Sequence, residues 1–408
     1  MTRFRNILLA AIAFAGLSGC IYDHYPEGDE PVVGNTDDKA PVTLLLRVGT
    51  AAPTRATAPD SELMHSLRIV LVDANTDVVE YNVLIDDESN GNIFGSGIGE
   101  LDYSRFRVLQ TQPGPKKIFF IANEHCTKAV NGNPAVTLTQ VLDSRLSGQT
   151  GFQQVVESAY FTPDFGSGIV LSSCYEFEIG EGDVDPQTRR VEKEFWLVHA
   201  ATKFEFVFDN HRHNAITVDQ LTVSSAAADM YLMANLADSE KTKRINGNNF
   251  YWIDWLRQVC DDTEANPDLP ENPDVNEQYG WISDYYLPSD DHAEADIKSL
   301  VGRSGDYWRI EPGASLALPA VYLPESKYTP DGGEQKYAFS VTLTDTGAAE
   351  MPQKVFPDNE LVNLKALFRN TNVRVTVLVD SVEEETVIDL QIGVCPWNYE
   401  SVDIPTFD

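Results

Sequence analysis

Residues 42–73 read VTLLLRVGTAAPTRATAPDSELMHSLRIVLVD. Two apolar runs, Val42–Val48 and Leu67–Val72, flank a soft segment of small residues, threonines and prolines that carries one arginine, Arg55. Both runs are too short and too rich in Val, Leu and Ile for surface helices, and they read as strands. The segment between them has the composition of an exposed loop. A strand, a loop and a strand at the start of the folded region set the pattern for the rest of the chain.

The same signal recurs outward from this stretch. Strands are expected at RFRVLQ (Arg105–Gln110), KIFFIAN (Lys117–Asn123), YEFEI (Tyr175–Ile179), EFWLVHAATKFEFVF (Glu194–Phe208) and AITVDQLTV (Ala215–Val223). Later come SLALPAVYL (Ser315–Leu323), YAFSVTLTD (Tyr337–Asp345), VRVTVLVD (Val373–Asp380) and TVIDLQIGV (Thr386–Val394). In VRVTV, Val373, Val375 and Val377 share one face, as in a half-buried antiparallel strand. Helical spacing is confined to Thr137–Leu146, Phe250–Cys260 and His292–Val301. Many strands and few short helices predict an all-β fold built as a pair of antiparallel β-sandwiches. The polar stretch DVDPQTRRVEKE places the boundary near 190, giving one domain over 40–190 and another over 191–408. The acidic, Pro- and Asn-rich segment 261–278 reads as an insertion loop in the second.

The N-terminus reads as a processing signal. Arg3 and Arg5 precede a short apolar run, Ile7–Ala15, and then Leu17-Ser18-Gly19-Cys20. The run is too short to span a bilayer. Small residues ahead of a cysteine predict a lipoprotein leader over 1–19, cleaved to leave a lipidated Cys20. Three acyl chains bury enough methylenes, at roughly 0.8 kcal/mol each, for lasting attachment to an outer membrane. Residues 20–39 then form an acidic tether.

The chain has 408 residues, with 30 Lys and Arg against 63 Asp and Glu, a formal charge of −33. Such a balance excludes a phosphate-tracking surface, so nucleic acid is not an expected partner. Beyond Cys20 stand Cys126, Cys174, Cys260 and Cys395, without a CxxC pair, which reads as free thiols rather than a disulfide framework.

Catalytic motifs are missing: there is no HExxH, GxSxG or GxxxxGK[ST]. GSGIG at Gly95–Gly99 lacks the strand–turn–helix setting of a nucleotide loop. Asp86, Glu88 and Asn90 imitate the start of a calcium loop, but the position of its bidentate acid is Gly97, so a hairpin tip is expected. His211 and His213 read as an edge turn rather than a metal site. His125 and Cys126 are adjacent, so their side chains diverge and make a poor dyad. Trp252 and Trp255, with Tyr251, Trp281, Tyr285 and Tyr286, form either the packing of an insertion or a glycan platform. No enzyme, metal or cofactor is expected.

The order of features carries more than any one of them. A lipobox, an acidic tether and the strand Val42–Val48 are followed by Thr54-Arg55-Ala56 and SLRIVLVD. GPKKIFFIAN, HAATKFEFVF, YLPES, RNTNVRVTV and VCPW come in turn. This order resembles the fimbrillins, lipoprotein-derived pilins of Bacteroides-type Gram-negative bacteria, across nearly the whole mature chain. The resemblance implies two transthyretin-like β-sandwich domains and a place in adhesive fimbriae at the cell surface, with other fimbrial subunits as partners and host proteins or glycans as targets. It also implies clipping by an arginine-specific protease after the first strand, and filling of the vacated groove by a neighbour's strand. Carried onto this sequence, Arg55 is the cleavage residue and Leu44, Leu46 and Val48 are the groove-filling face. Arg47 and Arg68 lie inside strands, out of a protease's reach. The segment NYESVDIPTFD after Trp397 is short, and Pro405 interrupts its alternation, which fits a tip subunit or a lipid-retaining anchor as well as a stalk subunit.

Overall fold

A run whose alternate residues are apolar buries one face; a run that is apolar throughout buries both. SLRIVLVD, apolar but for Ser66, Arg68 and Asp73, is close to the second kind, and it becomes an internal strand of the largest sheet, with every residue but Asp73 buried. The computed structural model describes residues 40–50, 59–86, 107–234, 292–296, 308–326, 337–346, 353–361, 367–382 and 385–396. The leader, the tether, Cys20, Arg55, the calcium-like and glycine-rich segments, the Trp252–Trp255 patch and the acidic loop 261–278 lie outside them. The described residues belong to one compact unit.

The largest sheet collects β1 (Val42–Thr50), β2 (Ser66–Asp73), β3 (Val79–Asp86), β4 (Arg107–Thr111), β5 (Gly114–Ala122), β8 (Leu171–Ile179) and β9 (Arg190–His199). Their order is β3-β2-β5-β8-β9-β1-β4. A small sheet joins β6 (Thr127–Val130), β7 (Tyr160–Pro163) and β12 (Met230–Tyr231). Helix α1 (Leu138–Leu142) starts at the N-cap Thr137, whose side chain accepts from the Gln140 amide while the Gln140 side chain returns to the Thr137 amide. Helix α2 (Phe152–Ser158) follows.

Two further sheets use the rest of the chain. One contains β10 (Thr202–Asn210), β15 (Ser315–Ala317), β16 (Val321–Leu323), β19 (Thr371–Val382) and β20 (Glu385–Pro396). The other contains β11 (Ile216–Ala227), β13 (His292–Asp296), β14 (Trp308–Ile310), β17 (Ala338–Asp345) and β18 (Gln353–Glu360).

Three cores follow from this layering. One face of the largest sheet gathers β1 side chains with Leu67, Ile69, Leu71, Ile118, Phe120 and Phe195. The opposite face, through Val70, Val72, Phe119 and Ile121, packs on α1, α2 and the small sheet. The third core lies between the remaining two sheets, where Phe204, Phe206 and Phe208 of β10 and Val373, Val375 and Val377 of β19 meet Val218, Leu221, Phe339 and Val341. All of these residues are at most 2 % exposed except Val48 of β1 and Phe195, each at 4 %.

The fold is therefore all-β, mostly antiparallel, with two short helices among the described residues. Four readings of the sequence are refined by it. Of His292–Val301, read as helical, the described residues His292–Asp296 are strand β13 paired antiparallel with β11; the pairing edge overrides the helix preference of its alanines and glutamate. The run Glu194–Phe208 is two strands, because the chain leaves one sheet and enters another at Ala200–Ala201. The change of sheet thus falls beyond the boundary expected near 190, since β9 pairs with β1 and β8 and places Phe195, Leu197 and Val198 in the first core. Strand β19 runs antiparallel to β20 but parallel to β10, and β1 runs parallel to β9.

Candidate functional site

The first strand is the most distinctive element. β1 lies between β9 and β4: parallel to β9 from Thr43↔Arg190 to Thr50↔Leu197, and antiparallel to β4 from Val42↔Thr111 to Leu46↔Arg107. Its even-numbered residues Val42, Leu44, Leu46 and Val48 are 0, 0, 1 and 4 % exposed and all join the first core. The strand thus brings together Leu44, Leu46 and Val48, the three residues that the resemblance singled out, and adds Val42. The Thr43 amide donates to the Arg189 carbonyl at 2.8 Å, and Arg189 donates from its guanidinium to the Ala40 carbonyl at 2.7 Å. Fully burying four such side chains is worth about 1.5–3 kcal/mol each. The sum, about 6–12 kcal/mol, rivals the whole stability of an ordinary domain. In register with β1 stand Leu109 of β4 and Val191 and Phe195 of β9, which belong to the same core.

The chain emerges from β1 at Thr50 and is described again from Pro59. The downstream end is held firmly. Asn123, in the left-handed region at φ 56°, accepts from the His65 amide and donates to the carbonyls of Leu63 and Ile169, both at 2.8 Å. A single 3-10 turn, Asp60–Glu62, places the Glu62 carboxylate against Lys203 Nζ at 2.9 Å and the Tyr322 hydroxyl at 2.7 Å. Burial pushes the Glu62 carboxyl up, but the Lys203 charge and the Tyr322 hydroxyl hold it below the usual carboxylate range. Burial and the Glu62 charge push the Tyr322 phenol up. The imidazole of His199 sits with Nε2 3.0 Å from the Glu62 carbonyl oxygen and Nδ1 3.1 Å from Asn370 Oδ1. Its burial holds it below its ordinary value.

A second cluster lies beside the first. Arg369, 0 % exposed, forms an ion pair with Glu325 at 2.7 Å and donates to Ser172 Oγ and to the carbonyls of Tyr231 and Leu232. Asn370, at φ 58°, donates its amide to the carbonyls of His199 and Ala201. Segments that were separate motifs in the sequence, HAATKFEFVF, YLPES and RNTNVRVTV, therefore meet at one junction where the first and third cores adjoin. Asn123 from GPKKIFFIAN clamps its edge. Their order is legible in the sequence; the left-handed asparagines and the buried Arg–Glu pair supply the reason for their composition.

The remaining candidates are dispersed. Arg68 is buried, 2.7 Å from Glu124 and 2.8 Å from Asp143, and Arg47 pairs in register with Glu194 within the sheet, so neither backbone is free to enter a protease cleft. His211 and His213 are exposed on the turn after β10. His125 is exposed while Cys126 is buried. Burial pushes the Cys126 thiol up to about 12, and Cys174 is pushed up as well. Both are free thiols. Among the described residues no group of His, Cys, Asp and Glu could hold a metal ion, and no helix is long and apolar enough to cross a membrane.

No protein-family model matches this chain, and no curated protein matches it. Among solved structures it is similar to the C-terminally truncated tip fimbrial protein Mfa3 from Porphyromonas gingivalis, with 12% identity, a TM-score of 0.46, and 88% of this chain and 100% of that one covered. It is also similar to a fimbrial assembly protein from Parabacteroides distasonis, with 12% identity, a TM-score of 0.38, and 88% and 99% covered. The fimbrial anchor protein Mfa2 from Porphyromonas gingivalis aligns with 8% identity and a TM-score of 0.32, over 87% and 98%.

Proposed function

We propose that this protein is a non-enzymatic structural subunit of adhesive surface fimbriae, exported as a lipoprotein and assembled by strand complementation between two-domain subunits. The observation that carries this reading is β1 itself. It is a first strand that inserts between two others, buries four apolar side chains, and is followed in sequence by the segment that contains Arg55. A cut after Arg55 converts that strand from a covalent part of the fold into an exchangeable ligand. An empty slot with an apolar floor and two unpaired walls is costly, and a strand from a neighbouring subunit satisfies both needs. The lipid on Cys20 holds the chain at the outer membrane until residues 20–55 leave; other fimbrial subunits then become its partners.

Limited trypsin treatment of the folded full-length protein tests the reading, with the new N-terminus sequenced and the assembly state followed. A cut after Arg55 followed by oligomers that have lost residues 20–55 supports it. A folded protein that resists cutting there, or a cut product that stays monomeric with a foreign first-strand peptide excluded, refutes it. Filaments that retain residues 20–55 with lipid identify an anchor in place of a polymerising subunit.

A further inference from the structure

β4 is a strand with one sheet neighbour. Among the described residues it pairs only with β1 and ends the order β3-β2-β5-β8-β9-β1-β4. Departure of β1 would therefore leave five residues, Arg107–Thr111, without a strand partner on either side. Yet the sheet curls so that its two end strands approach, and β3 reaches β4 through side chains. The Tyr81 hydroxyl donates to the Gln110 carbonyl at 2.6 Å and accepts from the Gln110 amide at 2.9 Å. One phenol thus occupies both backbone groups of a single residue, as an adjacent strand would. The direction is consistent with the ladder: Gln110 faces Thr43 in register, while the Thr43 amide turns the other way, to Arg189. The next residue, Thr111, hydrogen-bonds Glu80, which also pairs with Lys116 of β5. The Tyr81 ring packs against the first core, so the hydroxyl is carried on a fixed support.

We propose that Tyr81 is a positioning residue for strand exchange, whose hydroxyl holds β4 as a wall of the slot while β1 is absent. The proposal rests on the strand-complementation reading above. It assigns that reading a preformed two-walled acceptor instead of one whose second wall must refold around each incoming strand. Pre-ordering of this kind speeds capture, because the ordering cost is met before the strand arrives.

The test compares full-length wild type with Tyr81→Phe, which keeps the packed ring and removes only the hydroxyl. Hydrogen exchange at the Gln110 amide is measured in the uncut chain. Association and dissociation of a labelled peptide of residues 42–50 are measured after trypsin nicking. The expected result is loss of Gln110 protection together with association about five- to tenfold slower, the scale of one or two surface hydrogen bonds, and dissociation changed less. Unchanged Gln110 protection, or a lowered melting temperature with association unaltered, overturns the proposal and leaves Tyr81 a merely structural residue. If the nicked wild type captures no peptide, strand complementation itself fails, and Gln110 protection in the uncut chain still decides whether Tyr81 holds β4.

Discussion

Leu44→Ala is the sharpest probe of how firmly the first strand is held. Leu44 is fully buried, faces Leu109 of β4 and Val191 of β9 in register, and belongs to the first core. Truncation removes three carbons from a closed site between two strands, where the backbone ladders on both sides resist collapse, so about 3 kcal/mol is expected from the usual range for buried leucine. In the uncut chain this appears as a lower urea midpoint with an unchanged slope. In nicked protein the same loss acts on a separate segment, and at about 1.4 kcal/mol per decade it raises the release of β1 by roughly 100-fold. Thr43→Ala is the control: its side chain is half-buried on the other face, where its hydroxyl accepts from Gln110 Nε2 at 3.2 Å. About 0.5 kcal/mol or less is expected there. Release is read from the mass of the fragment separated by gel filtration. Equal stabilities for the two variants would refute the burial reasoning, and equal release rates would refute the view that these side chains retain the strand.

Other consequences are more local. Arg369→Met strands the Glu325 carboxylate in the interior, and about 3–5 kcal/mol of stability is expected to be lost, measured by chemical denaturation; the double variant with Glu325→Leu recovers most of it. Stability is expected to fall as pH drops below 6.5, because His199 titrates lower when folded than when unfolded, so the unfolded chain binds more protons in that window. Glu62, also held low, adds a second loss below 4.5. Replacing His199 with Gln should remove the upper part of this pH dependence in thermal melts. Cys126 should react with a maleimide only when the protein unfolds, since it is buried and burial keeps its thiol protonated; labelling of it in native protein would contradict its placement.

Alternation was the readable part of this fold. Val373, Val375 and Val377 sit on the core face as their spacing predicts, and Thr137 caps a helix where its sequence says one begins. What alternation does not encode is the neighbour. A strand with one apolar face looks the same whether its partner runs parallel or antiparallel, so the parallel pairing of β1 with β9 was invisible. β18 escaped notice because Pro357 breaks its pattern; a sheet-end strand tolerates proline, and Asp358 turns there at φ 51°. The junction was half-legible. Its asparagines and Arg369 stood out as motifs, but that Glu325, Ser172 and Arg369 converge depends on contacts up to 197 residues apart.

The opposed walls around β1 also give the slot a sense of direction. β9 offers a parallel ladder along eight register pairs, Thr43 to Thr50, while β4 offers an antiparallel one along five, Val42 to Leu46. A strand entering backwards would exchange the two pairing patterns and set its side chains against the wrong lengths of wall. A strand that replaced β1 as proposed would have to run in this same direction, so a chain of such subunits would have distinguishable ends.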